Sequence, residues 1–230
     1  MLLYLCQNMK DLQVHIKIED GIYLRNPDET ELGRRIISGA ITLIHELGFE
    51  QFTFKKLGDH IGSPESSIYR YFESKQALLI YLVAWYWSWV DYKLVFATIN
   101  ISDPSERLDR ALNVLVSRVK VDSSFSYVDE VLLSEIIIAE SSKSHHTKDV
   151  DNRNEKGCFR KYKQVVQRLS DIILEINPSF EYPHMLISTV IEGVHQQRYF
   201  VDHLPDLTDI KKDEDAISTF YKAIVSSAIL

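Results

Sequence analysis

Residues 53–75 read TFKKLGDHIGSPESSIYRYFESK, and this stretch decides the fold. Its spacing predicts two short helices, 54–61 and 64–72, parted by a tight turn at Gly62-Ser63. Ser63-Pro64-Glu65 supplies an N-cap, a proline at the first helical position and an acid at the positive end of the helix dipole. Leu57, Ile61, Ile68 and Phe72 are spaced to pack on one another and on a preceding helix. That is the pattern of a helix-turn-helix, whose second helix enters the major groove of DNA. On that helix Glu65, Ser66, Ser67 and Arg70 can address base edges, and Tyr69 and Tyr71 can hydrogen-bond phosphates. Lys55, Lys56 and Lys75 sit in the first turns of predicted helices, where the dipole disfavours cations. Taken singly, each reads as a solvated lysine. Three of them at two helix starts read as a place where lysines and helix N–H groups hold the same phosphate.

Working outward, Phe52 and Leu57 form a hydrophobic staple around Thr53. Upstream, Asp28 and Glu31 fit a capping box, and Leu32, Ile36, Ala40, Leu43, Ile44 and Leu47 make a helical stripe that Gly48 ends. Residues 12–25 alternate: Val14, Ile16 and Ile18 face one way, His15, Lys17 and Glu19 the other. Asp20-Gly21 is a type I′ turn signal, so a small β-hairpin is expected. Downstream, Ser74 caps a helix whose Leu78, Leu82, Trp85, Trp89, Tyr92 and Phe96 form one stripe. Leu79, Val83, Tyr86 and Val90 form a second, so this helix is covered on most sides. Further helices are predicted at 105–120, 126–142, 155–176, 183–202 and 213–229, with 141–157 as a polar connection.

Composition narrows the function classes. Glycine and proline together number 14 of 230 residues, too few for the turns of a sandwich or barrel. The net charge of −7 excludes a protein that coats nucleic acid by bulk charge, and leaves room for a local site. Cys6 and Cys158 lack the spacing of a disulfide framework or a zinc site, which fits a reducing cytoplasm. The longest uncharged run, Gln76 to Val90, is 15 residues and too short for a membrane span. Leu2-Leu3-Tyr4-Leu5-Cys6 has no basic segment ahead of it, so no signal peptide is expected, and Met9 opens a more ordinary polar start than Met1.

The motif resembles the TetR-type transcriptional regulators. Thr53, Leu57-Gly58, Gly62-Ser63, Tyr69-Arg70-Tyr71-Phe72 and Lys75 follow that family's pattern without insertion or deletion, and Gly48-Phe49 ahead of them also fits. Ser63 stands where the family's turn carries an apolar residue, and Tyr71 where it carries histidine. The resemblance covers about residues 28–80 and implies a mostly α protein in three parts. Residues 1–27 are an extension with the hairpin, 28–75 a three-helix DNA-binding domain, and 76–230 a helical effector-binding and dimerisation domain. It implies phosphate contacts at Thr53, Lys55, Tyr69, Tyr71 and Lys75, and base contacts at Glu65, Ser66, Ser67 and Arg70. It further implies a homodimer that binds a pseudo-palindromic operator as a repressor and answers to a small-molecule effector, without cofactor, metal or catalysis.

Trp85, Tyr86 and Trp89 are the candidate effector pocket, although aromatics at helical spacing are more often core. Leu186, Val190, Ile191, Val194, Phe220, Ile224 and Ala228 are the candidate dimer interface, with Gly193 permitting close approach. His145-His146 with Asp149 and Asp151 are too irregularly spaced for a metal site, and His195 reads as a core or interface histidine. The alternative reading is a helical dimeric small-molecule-binding or interaction module that no longer reads DNA. Its support is the balance of residues 28–75, which hold six Lys/Arg against eight acids.

Overall fold

Thr30 starts the first long helix: its hydroxyl accepts the Gly33 N–H at 3.0 Å and caps α1 (Glu31–Gln51). The expected capping box at Asp28 and Glu31 is corrected by this arrangement. Asp28 lies instead in a 3-10 turn, Pro27–Glu29, and its carboxylate accepts hydrogen bonds from Tyr81 and Tyr127. The computed structural model describes residues 16–121, 127–210 and 216–230. Along α1 the predicted stripe is buried at Ile36, Ala40, Leu43 and Ile44. Gly48 at φ 74° and ψ 155° kinks the helix, a backbone state that a side chain would strain.

α2 (Phe54–Ile61) is capped by Thr53, whose hydroxyl accepts the Lys56 N–H at 3.2 Å. It ends at Gly62 in the left-handed region, φ 63°. Phe52 and Leu57, the staple pair, are fully buried. α3 (Glu65–Ile68) is regular for four residues, shorter than the predicted 64–72. Beyond it the chain tightens: the N–H groups of Tyr71 and Phe72 both donate to the Ile68 carbonyl, at 2.8 and 3.1 Å.

α4 (Lys75–Thr98), capped by the Ser74 hydroxyl, is the axis of the molecule. Every residue from Leu78 to Asp91 is buried, as two apolar stripes on one helix require. Around it lie α5 (Pro104–Val116), α6 (Glu130–Glu140) and α9 (Arg160–Ile176). The short helices α7 (Ser142–His145) and α8 (Val150–Glu155) occupy the predicted polar connection. α10 (Pro183–His203) packs on α9 and against α11 (Ala216–Ile229). Asp91, buried on α4, pairs with Arg168 at 2.9 Å and Lys161 at 3.4 Å, which ties α4 to α9.

The expected β-hairpin is not formed; no residue among those described is in a strand. Asp20-Gly21 does make a turn, with Gly21 at φ 97°, but Ile16, Ile18 and Ile22 are buried in the helical core. The Leu24 N–H donates to the Tyr71 carbonyl at 2.8 Å. Alternation in this segment therefore records packing against helices, whereas a hairpin would need its own ladder of paired backbone groups. Val14, His15 and Cys6, Met9 with the rest of the start, and the first residues of the predicted helices 126–142 and 213–229 lie outside the described residues.

Candidate nucleic-acid interface

One face of the α2–α3 unit carries most of the residues singled out from the sequence. Thr53, Lys55, Lys56, Ser66, Tyr69 and Arg70 are exposed there, with Glu65 partly so. Tyr69 is 48% exposed, and its ring meets Phe54 edge-on at 5.0 Å, which fixes the ring and leaves its outer part to solvent. Arg70 donates to the Ser67 hydroxyl at 3.0 Å.

Three of the expected contacts stand elsewhere. Ser67 is buried and holds Arg70 in place of facing a base. Tyr71 is 2% exposed, and its hydroxyl lies 2.7 Å from the Thr30 hydroxyl, so it joins α3 to the cap of α1. Lys75 donates to the carbonyls of Phe49, Glu50 and Phe52 at 2.9, 3.1 and 3.2 Å, and lies over the Phe49 ring. The cation at the start of α4 is thus held at the negative end of α1, so its placement needs no phosphate. Lys56 does the same more lightly, donating to the Gln51 carbonyl at 2.9 Å. Arg25, which no local spacing singles out, has its guanidinium 5.5 Å from the Tyr71 ring centre, which brings the N-terminal segment against the turn after α3.

The aromatic residues of α4 divide. Trp85 is core and does not line the cavity that Trp89 reaches. Tyr86 and Trp89 line a cavity of about 140 Å³ enclosed by α4, α5, α6 and α10, with Val114, Ile138, Val194 and His195. Burial pushes the Tyr86 hydroxyl up to about 12. Burial also lowers the His195 imidazole to about 4, with Arg198 acting the same way and Glu192 against it. Glu135, on α6, lines this cavity and pairs with His45 on α1 at 2.6 Å. A second tie between these helices runs from the Phe49 N–H to Glu140 at 3.1 Å. Neither pair follows a short-range motif: their members are 90 and 91 residues apart.

The predicted dimer residues also divide. Val190, Ile191 and Val194 are buried within their own chain, and Leu186 is partly buried. Phe220, Ile224 and Ala228 are exposed on one face of α11. Gly193 admits Tyr221 of the same chain; a Cβ there would come within 2.3 Å of the Tyr221 hydroxyl. Among the described residues no group of three or more His, Cys, Asp and Glu could hold a metal ion, and no helix is long and apolar enough to cross a membrane.

Residues 36–82 match the family model described as bacterial regulatory proteins, tetR family. No curated protein matches the chain by sequence. Among solved structures, the fatty acid degradation regulator FadR from Bacillus halodurans superposes with a TM-score of 0.56 at 17% identity, covering 85% of this chain and 96% of its own. AibR, solved with isovaleryl coenzyme A and operator DNA, gives 0.54 at 15% identity over 84% and 97%. The superantigen PfiT gives 0.56 at 12% identity over 88% and 97%. Likeness at these identities is likeness of fold.

Proposed function

We propose that the chain, whose residues 36–82 match the family model of the tetR regulators, is a homodimeric repressor whose grip on DNA is set by a small molecule. The observation that carries the DNA reading is the single exposed face of α2 and α3. On this reading Thr53, Lys55 and Tyr69, all exposed, contact phosphates, and Ser66 and Arg70 read base edges, with the partly exposed Glu65 at their margin. Ser67 serves as the residue that positions Arg70. AibR supports the partners by analogy, since that protein was solved with both an acyl-coenzyme A and operator DNA. Two copies, one recognition helix each, prefer a pseudo-palindrome with half-sites on the same face of the duplex.

Effector control uses the tie between the two halves of the chain. Glu135 belongs to the cavity wall and to the hydrogen bond with His45, so a ligand that moves α6 changes the hold on α1 and with it the spacing of the recognition helices. No chemistry is required of the protein, and its place of action is the cytoplasm, with the DNA. A second reading, a helical module that does not read DNA, draws on the acidic balance of residues 28–75 and on the likeness to PfiT.

Selection of bound sites from a random DNA pool decides between them. The full chain should enrich one pseudo-palindrome, and Arg70→Ala should blur preference at one base pair per half-site, at about 1–3 kcal/mol per lost base contact. Equal retention of random and selected DNA by the wild type would overturn the regulator reading.

A further inference from the structure

The cavity enclosed by α4, α5, α6 and α10 has a wall of mixed polarity. Two basic side chains, Arg118 and Arg198, and two acidic ones, Glu135 and Asp202, lie on it. Each of the four is already engaged. Glu135 is hydrogen-bonded with His45 at 2.6 Å, Arg198 donates to the Val116 carbonyl, and Arg118 and Asp202 have partners of their own. Ser134 is engaged as well, its hydroxyl donating to the Val131 carbonyl at 3.0 Å. An ionic ligand would have to break one of these charged contacts or bury its own charge uncompensated. The unanswered atoms belong to neutral groups. Among the described residues of this wall, two buried polar atoms have no hydrogen-bond partner: the Nε1–H of Trp89 on α4 and the Nδ1 of His195 on α10. Burial keeps that imidazole uncharged at neutral pH. Buried polar groups without partners cost free energy unless a bound group answers them.

We propose that this cavity takes a neutral, ring-sized molecule with an amide or hydroxyl group that hydrogen-bonds Trp89 and His195 and so bridges α4 and α10. The inference rests on the reading of the chain as an effector-controlled regulator, and it names the chemical class of that effector. The Trp89 Nε1–H can only donate, so the ligand carries an acceptor. A neutral imidazole Nδ1 donates in one tautomer and accepts in the other, and a group that does both answers either. By size the cavity, about 140 Å³, has room for one ring, since ~150 Å³ takes benzene. A hydrocarbon fills that space and leaves both polar atoms orphaned. Water answers the two atoms but buries no apolar surface against Tyr86, Trp89, Val90 and Val194, which share the wall.

Calorimetric titration of the full-length protein at neutral pH with four probes of one ring each tests this: benzamide, benzoate, benzylammonium and toluene. Benzamide should bind at least about tenfold more tightly than any of the other three, the factor that one answered hydrogen-bonding group supplies. Trp89→Phe and His195→Phe, which keep a ring and remove the polar atom, should each weaken benzamide by about five- to tenfold. Toluene affinity should stay within about threefold in both, whereas a merely structural loss would weaken both probes alike. If the variants do not fold, the ranking of the four probes on the wild type decides alone. A benzoate or benzylammonium affinity equal to that of benzamide overturns the proposal, as does equal affinity for toluene. No binding of benzamide at millimolar concentration leaves the cavity to water and also overturns it. So does benzamide binding that both folded variants leave unchanged, since the ligand then sits elsewhere. Site selection on the same preparation separates the two claims. Specific DNA binding without benzamide binding sinks the ligand class and leaves the regulator. Benzamide binding without DNA preference sinks the regulator and leaves the site.

Discussion

Lys75 and Lys55 occupy the same kind of position, the first turn of a helix, and differ in what surrounds them. Lys75 meets three carbonyls at the end of α1, whereas Lys55 is exposed on the α2–α3 face. Lys75→Ala should lower stability by about 1–2 kcal/mol, because hydrogen bonds to a charged donor are lost and carbonyls are left to water. Lys55→Ala should leave stability within about 0.5 kcal/mol and reduce the slope of DNA affinity against salt by about one ion. Melting curves and salt titrations on both variants check the pair. The opposite pattern, a stability loss at Lys55 and a salt effect at Lys75, would return Lys75 to the DNA face.

His195 gives a residue-level prediction in pH. Its burial holds the folded imidazole at about 4, against 6.5 for the ordinary group. Between those values the unfolded chain takes up a proton that the native chain refuses, so this contribution is full above the window and lost as pH falls through it. Acidification from neutral to about pH 5 should cost roughly 1–2 kcal/mol, and His195→Gln should flatten that dependence. Unchanged pH dependence in the variant would show that His195 keeps an ordinary pKa.

At the scale of elements, α11 has two faces with different work. Ile217, Tyr221, Val225 and Ile229 are buried in the chain's own core, while Phe220 and Ile224 are 55% and 37% exposed. The two sets interleave at three- and four-residue steps, so one helix buries one set in its own chain and leaves the other exposed. On α10 the large exposed apolar side chain is Met185; Val190 and Val194 already face inward. Of the interface expected on α10 and α11, the α11 residues are therefore the ones that we propose for contact with a second copy. Ile224→Glu should convert a dimer into a folded monomer, since the charge costs several kcal/mol between two chains and little in water. Sedimentation at micromolar concentration, alongside a melting curve near that of the wild type, is the check. A wild-type monomer would exclude this interface.

At the scale of the whole molecule, the two halves are joined by several polar ties over the common helix α4. Asp28 accepts hydrogen bonds from Tyr81 on α4 and from Tyr127 just before α6, at 3.1 and 2.6 Å. His45 and Phe49 on α1 meet Glu135 and Glu140 on α6. Beside these ties lies the cavity, with Glu135 in both places. Packed interfaces shift between discrete arrangements, so under the proposed function a sub-ångström change at the cavity is delivered through α1 as a changed angle of α2 and α3.

The sequence by itself determined the parts that short-range rules govern. The caps at Thr53 and Ser74, the left-handed Gly62, the staple of Phe52 on Leu57 and the all-round burial of α4 are each settled within a few residues of chain. Tertiary structure decided which polar groups remain for a partner. The Tyr71 hydroxyl goes to Thr30, 41 residues away, and the Lys75 ammonium to carbonyls 23 to 26 residues away. Residues 16–22 alternate as a strand would, yet bury their isoleucines against helices. Trp85 and Trp89 share one stripe, and only Trp89 reaches the cavity. Periodicity states which side of an element is covered. It does not state what covers it, because a hydrogen-bonding group is claimed by whichever distant partner the fold brings within about 3 Å.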